Sequence, residues 1–555
     1  MYCWHFRWMG SRAAISLRAM LRRFALILLA MCGAFAAEGA DFVGNKACAP
    51  CHAAIYRAYL RTPMAQSSGK VGTEDPKESF DNAEFRDSGG AFSYRVSPDY
   101  RFEFTQQGAR QPIAGVRSLA YFVGSGAAAR TFLIDEGGFL FESPVTYYRQ
   151  SASWKASPGF EGVDYPYLTR PVVPGCLQCH ASGMQPRALT LNGYATPPFL
   201  ENGVSCERCH GPGSDHVAKG ARMLNPAKLA SAARDSVCAQ CHLSGEVRLA
   251  KPGKEGRALN AGALLADELT VFVRAGSPAE LRVTSHVENL AQSACKRASG
   301  DKMWCGTCHD PHTTPEPGEK AAYFRGKCLS CHQVQDCHAA QAARSANGDN
   351  CTECHMPRGQ TSDIQHVVFT DHSIRRKPFG SGVAPASDSE LVPYPSYTAT
   401  TRDLALAYAV VALRDHNTSD RERAFPLLKQ AAAQGTADSV ALAYLAEFYR
   451  DAKDDAHALP IYEQVWRVDK SQYAVAAALG AYRMQRGNFS EAIRFWREAL
   501  ALNPAMVLVR VNLAQALLRT GNAPAARAEL ELALRFNPAS TEARDLLSQV
   551  TGVGR

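Results

Sequence analysis

The sequence predicts a mainly α chain in two parts: an N-terminal domain with a small β insertion, then a C-terminal α-solenoid of helix pairs. Three observations predict it. A five-residue pattern, Cys-x-x-Cys-His, occurs seven times between residues 48 and 355. Residues 70–170 carry no cysteine and no histidine, and alternate short aromatic runs with glycine turns. Residues 401–551 repeat small and bulky side chains at a spacing of thirty-four.

The chain of 555 residues has room for two or three domains, and its 46% hydrophobic and 21% charged content is that of a globular protein. It opens like an export signal. Arg22 and Arg23 precede the apolar run 24–35, and Ala34 and Ala36 form a small-residue cleavage site, so residues 1–36 read as a signal peptide with translation starting at Met20. Cys32 follows Met31, larger than the residue a lipidation signal uses, so it reads as discarded with the signal; lipid anchoring through Cys32 is the alternative. The apolar run is too short for a permanent span, and no later stretch supplies a transmembrane segment. A periplasmic or otherwise extracytoplasmic protein is expected.

The formal charge of +8 does not point to nucleic acid. The first 36 residues hold five arginines and no acid, leaving 56 basic against 53 acidic residues. No basic run interleaved with aromatics follows, so a nucleic-acid partner is not expected.

The seven motifs are Cys48, Cys51 and His52; Cys176, Cys179 and His180; Cys206, Cys209 and His210; Cys238, Cys241 and His242; Cys305, Cys308 and His309; Cys328, Cys331 and His332; Cys351, Cys354 and His355. Two thiols at this spacing add across the vinyl groups of one heme, and the histidine after them reaches the iron as proximal ligand. A single copy could be half of a zinc site or a redox dithiol. Seven copies use fourteen of the eighteen cysteines and leave no paired-histidine zinc pattern. The expected cofactor is therefore heme c, seven copies, covalently bound. Two propionates per heme then make the mature protein mildly acidic.

Seven irons need seven further ligands if all are closed. The same region offers His216, His286, His312, His338, His366 and His372, clustered among the motifs, whereas residues 53–179 have no histidine. All six are distal candidates. Met64, twelve residues after His52, is the candidate for the seventh place; its ordinary alternative is a core methionine. Cys337, in VQDCH before His338, reads as a spare thiol, with single-thioether attachment of an eighth heme as the alternative.

Taken in order, a domain over 41–376 contains all seven motifs. Its β-rich insertion, 70–170, includes DEGG over 135–138 as a hairpin turn. The insertion either docks a partner or shields the first heme, and its aromatic alternation favours shielding. Residues 377–400, rich in proline, glycine and serine, read as a linker. Beyond it the thirty-four-residue spacing relates Ala412, Ala446, Gly480 and Ala514, then Ala424, Ala458, Ala492 and Ala526, then Leu428, Tyr462, Trp496 and Leu530. Small residues where helices cross, with bulky ones beside them, are the mark of tetratricopeptide pairs. Repeats are expected at 403–436, 437–470, 471–504 and 505–538, with a capping helix at 539–551.

The segments CERCHGPGSDH, SHVENLAQSACKRASGDKMWCGTCHDPH, CTECHMPR and HVVFTDHSIRR resemble a superfamily of multiheme c-type cytochromes. It includes the tetraheme electron carrier of ammonia oxidation, octaheme hydroxylamine oxidoreductase and pentaheme nitrite reductase. The likeness covers about residues 44–376 and implies hemes stacked in close pairs with electron transfer along them. It departs in lacking the Cys-x-x-Cys-Lys motif of the nitrite reductases and in having seven motifs rather than eight. The sequence thus predicts an exported seven-heme cytochrome passing electrons between redox partner proteins, with repeats that dock a protein partner. The alternative is a heme oxidoreductase acting on a small nitrogen or sulfur compound at one open iron.

Overall fold

The structure, a computed structural model, describes residues 41–552 except 75, 88, 107–112, 161–167, 169, 277–279 and 377–388. The signal segment with Met20 and Cys32 and the first part of the expected linker lie outside the described residues. The chain divides into a small unit, residues up to Val43 with Pro212–Met223, and a large unit, Gly44–Gly211 with Leu224–Arg555. In the small unit a helix Ser214–Lys219 carries His216, and Asp41 N donates to Ser214 Oγ at 2.7 Å.

The β insertion is a sandwich of two antiparallel sheets. One sheet has five strands in the order β1 (Ser68–Lys70), β6 (Tyr121–Val123), β7 (Ala129–Glu136), β8 (Phe139–Tyr148) and β9 (Ser153–Ala156). The other runs β2 (Glu84–Arg86), β3 (Phe92–Val96), β4 (Arg101–Gln106) and β5 (Ala114–Ser118). Alternation sets the inner face: Phe92, Tyr94 and Val96 of β3 and Phe102 and Phe104 of β4 are buried against Phe132, Ile134, Phe141 and Trp154 of the first sheet. The expected hairpin forms at Gly137 and Gly138, both at positive φ as a two-residue turn of this kind requires, and Asp135 Oδ1 accepts from Gly138 N at 2.6 Å.

The segment bearing motifs two to seven is built of short pieces. Hairpin β10 (Ser182–Pro186) and β11 (Tyr194–Glu201) follows the second motif, and β14 (Arg358–Gln360) pairs with β15 (Val368–Thr370) after the seventh. Strands β12 (Val247–Ala250) and β13 (Leu269–Arg274) are joined by β16 (Leu391–Pro393), which comes from within the stretch 377–400 expected as a linker. That difference has a physical reason: Leu391 is an apolar residue with a place to go, buried with Phe272 and Val247 under the first repeat helix.

Among the described residues, four helix pairs and a ninth helix follow. They are α1 (Thr401–Arg414) with α2 (Thr418–Ala433), α3 (Ser439–Asp451) with α4 (Asp455–Val468), α5 (Tyr473–Gln485) with α6 (Phe489–Leu502), α7 (Val507–Arg519) with α8 (Ala523–Phe536), and α9 (Thr541–Thr551). Polar caps start them: Thr400, Asn417, Asp438, Asp454, Asn522 and Ser540 each accept a first-turn backbone N–H. The spaced residues meet as expected: Gly480 lies against the Trp496 ring, whose Nε1 donates to Ala477 O at 3.1 Å.

Both ends of this array are fastened to the rest of the large unit, which a freely hinged tail would not be. At the first pair, Arg274 pairs with Asp420 at 2.5 Å, both side chains buried, and Tyr408 Oη accepts from Leu391 N at 3.0 Å. At the last pair, Phe536 enters the β-sandwich core beside Phe141, with ring centroids 6.1 Å apart, and Arg117 donates to Arg535 O at 2.8 Å.

Candidate heme centres

Each motif folds as one helical turn, which is what places its three functional side chains together. His52, His210, His309 and His332 each donate their backbone N–H to the carbonyl of the first cysteine of their motif, at 2.9–3.0 Å. His242 ends the helix Ser231–His242, and His355 the helix Cys351–His355. His180 donates to Leu177 O at 3.0 Å just beyond the turn Pro174–Gln178. Residues three and four apart share a helix face, a spacing that would let two thiols and an imidazole serve one porphyrin. All fourteen motif cysteines are free thiols and none is fully buried.

The histidines supply a second test of whether heme fits. A metal-ligating imidazole usually donates Nδ1–H to a carbonyl or carboxylate, which fixes the ring and leaves Nε2 for the metal. His210 Nδ1 is bound to Leu224 O at 2.8 Å, His355 Nδ1 to Arg375 O at 2.8 Å, His372 Nδ1 to Thr370 O at 2.9 Å and His312 Nδ1 to an Asp310 oxygen at 3.1 Å. In the small unit His216 Nδ1 is bound to Ala221 O at 2.8 Å. Two proximal and three distal candidates therefore show this arrangement.

Ring positions go further. Two imidazoles on opposite sides of one metal, with bonds of about 2 Å each, have centroids roughly 6 Å apart. The His210 and His312 centroids are 5.9 Å apart with planes 18° from parallel, and those of His309 and His372 are 6.2 Å apart at 31°. His286 lies 4.8 Å from His242 and 4.6 Å from His372, closing a cluster of four with His309. Loss of water, and then the neighbouring rings, push His242 down to about 4 and His286 to about 2, so both are neutral at pH 7 with a lone pair to offer.

Other candidates stand apart from these pairs. His366 is exposed with its ring 5.2 Å from Tyr148, and His338 is exposed just past the turn Val334–Asp336, as is Cys337. The Met64 carbonyl accepts from Val204 N at 2.9 Å, and Ser67 Oγ bonds both Met64 O and His180 O, so its loop borders the second and third motifs. Gly203 permits this approach: a Cβ there would fall on the Ala65 carbonyl.

The motifs touch one another in an unbroken order. Thiols of motifs one and three meet at Cys48 and Cys206, two and four at Cys179 and Cys241, four and five at Cys238 and Cys305, and six and seven at Cys328 and Cys351. Motif five meets the helix bearing motif six where the His309 ring lies 5.4 Å from Phe324. Motif three is joined to two and four by Arg208, whose NH2 donates to Gln178 O at 3.1 Å and Gln240 Oε1 at 2.6 Å. Sequence reasoning missed this junction, although its signal was present: Gln178, Arg208 and Gln240 each stand immediately before the second cysteine of their motif.

Comparisons with known proteins match a stretch in each part of the chain. Residues 164–211 match the family of cytochrome c554 and c-prime, and residues 483–550 match the tetratricopeptide repeat family. The dissimilatory sulfite reductase MccA of Wolinella succinogenes is 29% identical over 187 residues, 28% of this chain and 22% of that protein, so the match spans about a fifth of that relative. Among solved structures, MamA is 17% identical over 27% of this chain and 83% of its own, with a TM-score of 0.24. PilF of Pseudomonas aeruginosa is 21% identical over 28% and 68%, also with a TM-score of 0.24. The family matches imply covalently bound heme c and, through the repeats, protein partners. No described helix is long and apolar enough to cross a membrane.

Proposed function

We propose that the chain is an exported c-type cytochrome with seven covalently bound hemes that relays electrons between redox partner proteins outside the cytoplasm, while its repeats dock a protein partner. The unbroken series of contacts from motif to motif carries this reading, because neighbouring attachment sites hold neighbouring hemes close enough to exchange electrons. Heme supplies one-electron storage at iron; the chain does the rest. The paired thiols would hold each ring through thioethers, and the motif histidines would ligate the irons. His312 would close the iron of His210, and His372 that of His309. His216, His286, His338, His366 and Met64 would serve the remaining irons. The Nδ1 bonds hold the rings in place, so little has to move when an electron arrives.

Likeness to a sulfite reductase favours one second reading: a sulfur-compound oxidoreductase with one iron open to substrate. The iron of His180 is the candidate, because the His180 Nδ1 is enclosed without a hydrogen-bond partner among the described residues. Spin-state spectroscopy of the ferric protein separates the two readings. Seven low-spin irons support the relay, and a high-spin iron that binds sulfite in the wild type supports the reductase.

A further inference from the structure

The junction of motifs two, three and four contains an arginine that pairs with no carboxylate among the described residues. Arg208 is 7% exposed, and its hydrogen-bond acceptors are a backbone carbonyl and an amide oxygen, both neutral. Its Nε is enclosed and unpartnered. Arg248 stands beside it, half-buried, donating to Gln240 O at 2.8 Å and Leu243 O at 3.1 Å, again neutral acceptors. Among the described residues no carboxylate pairs with either arginine, although elsewhere in the large unit buried arginines have acidic partners, as Arg274 has Asp420 and Arg402 has Asp438. A buried cation without a counter-charge is costly to keep. The neighbours that would respond to it are the attachment cysteines of three motifs: Cys209 adjoins Arg208 in sequence, and Cys179 and Cys241 follow Gln178 and Gln240, to which Arg208 is bonded.

We propose that Arg208 is a positioning residue for electrons: its unpaired charge raises the reduction potentials of the hemes at Cys176–His180, Cys206–His210 and Cys238–His242, so that electrons collect at this trio. The reasoning is electrostatic and rests on the reading that these motifs carry heme. Each ferric heme takes one electron, supplied by a redox partner or by dithionite in a titration, and its core falls by one unit of charge. A fixed positive charge in a poorly hydrated site favours the reduced form. Arg248 adds to the same field. Gln178 and Gln240 hold Arg208 at the point where the three motifs meet, so one side chain acts on three centres.

The test is a potentiometric titration of the full-length holoprotein, with heme content first confirmed by mass. Wild type without heme at these motifs would count against the proposed function and not against this inference. Arg208→Gln keeps a polar N–H donor but removes the charge. It should lower at least one potential so that the ratio of reduced to oxidised heme falls about tenfold at fixed potential, about 59 mV for one electron. Arg208→Lys, which keeps the charge, should restore most of the shift. Fully loaded Arg208→Gln protein with an unchanged titration would overturn the inference, and so would an equal fall in the lysine variant, because packing rather than charge would then be the cause. If Arg208→Gln does not mature, Gln240→Glu gives the same reading by placing a carboxylate against Arg208 with almost no change in shape. Lower potentials there support the inference, unchanged ones overturn it, and failure of both variants to mature would assign the junction to assembly and overturn it as well.

Discussion

Replacing His312 by alanine removes the ring that faces His210, and the effect should be confined to one iron. Heme content should stay the same while one heme of the set turns high-spin and gains cyanide binding, read by electron paramagnetic resonance and optical titration. Met64→Ala is expected to open a further iron in the same way, whereas Met64→His should keep it low-spin and lower its potential. A second residue makes a test by pH. Burial raises Glu142 from its ordinary 4.5 to about 7, ahead of the opposing pull of Arg170 at 3.3 Å. The folded state therefore holds this proton more tightly than the unfolded state. Its contribution to stability is complete below pH 4.5 and is lost as pH rises through about 7. Glu142→Gln should remove that loss, up to about 3 kcal/mol, when denaturation is compared at pH 5 and pH 8. At this scale the local shape of the motifs was legible in sequence, because Cys-x-x-Cys-His is a short pattern that fits one helical turn. The pairing of His210 with His312, 102 positions apart, and the junction at Arg208 were not, because both depend on how distant segments are brought together.

At the scale of elements, the repeat helices offer the sharpest prediction. A methyl group at Gly480 would collide with the Trp496 indole, which is buried and anchored by its bond to Ala477 O. Gly480→Ala should cost about 1–3 kcal/mol despite the gain in helix propensity, because overpacking outweighs it. Chemical denaturation measures this directly, and a stabilised variant would mean that the ring is free to move. The spacing that relates Gly480 to Ala412, Ala446 and Ala514 is visible in the sequence because each pair repeats the same crossing. The sandwich was legible in part. Alternation in Phe92–Val96 and Arg101–Gln106 identifies strands and their buried faces, but nothing in their composition says that two separate sheets form or which strands join each. Strand β16 was hidden altogether, since three residues in a proline- and serine-rich stretch carry no period to read.

For the whole molecule, the repeats and the motif-bearing segment belong to one compact unit, and the ion pair between Arg274 and Asp420 is a test of how firmly they are joined. Asp420→Ala leaves a buried guanidinium without its partner and should destabilise the protein by about 3–5 kcal/mol, whereas replacing both residues with apolar ones of similar volume should cost far less. Equal losses in the single and double variants would show that the pair does not fasten the array. The sequence suggested a tail on a linker because the composition of 377–400 changes abruptly, yet composition cannot reveal that Leu391 and Phe536 are each buried in a neighbour's core. All of this rests on the claim that seven attachment sites form one relay, and intact mass of the mature protein under denaturing conditions tests that claim most directly. Covalent attachment predicts a polypeptide carrying seven heme masses that unfolding does not remove; six or fewer would break the series of contacts on which the proposed relay depends and contradict it.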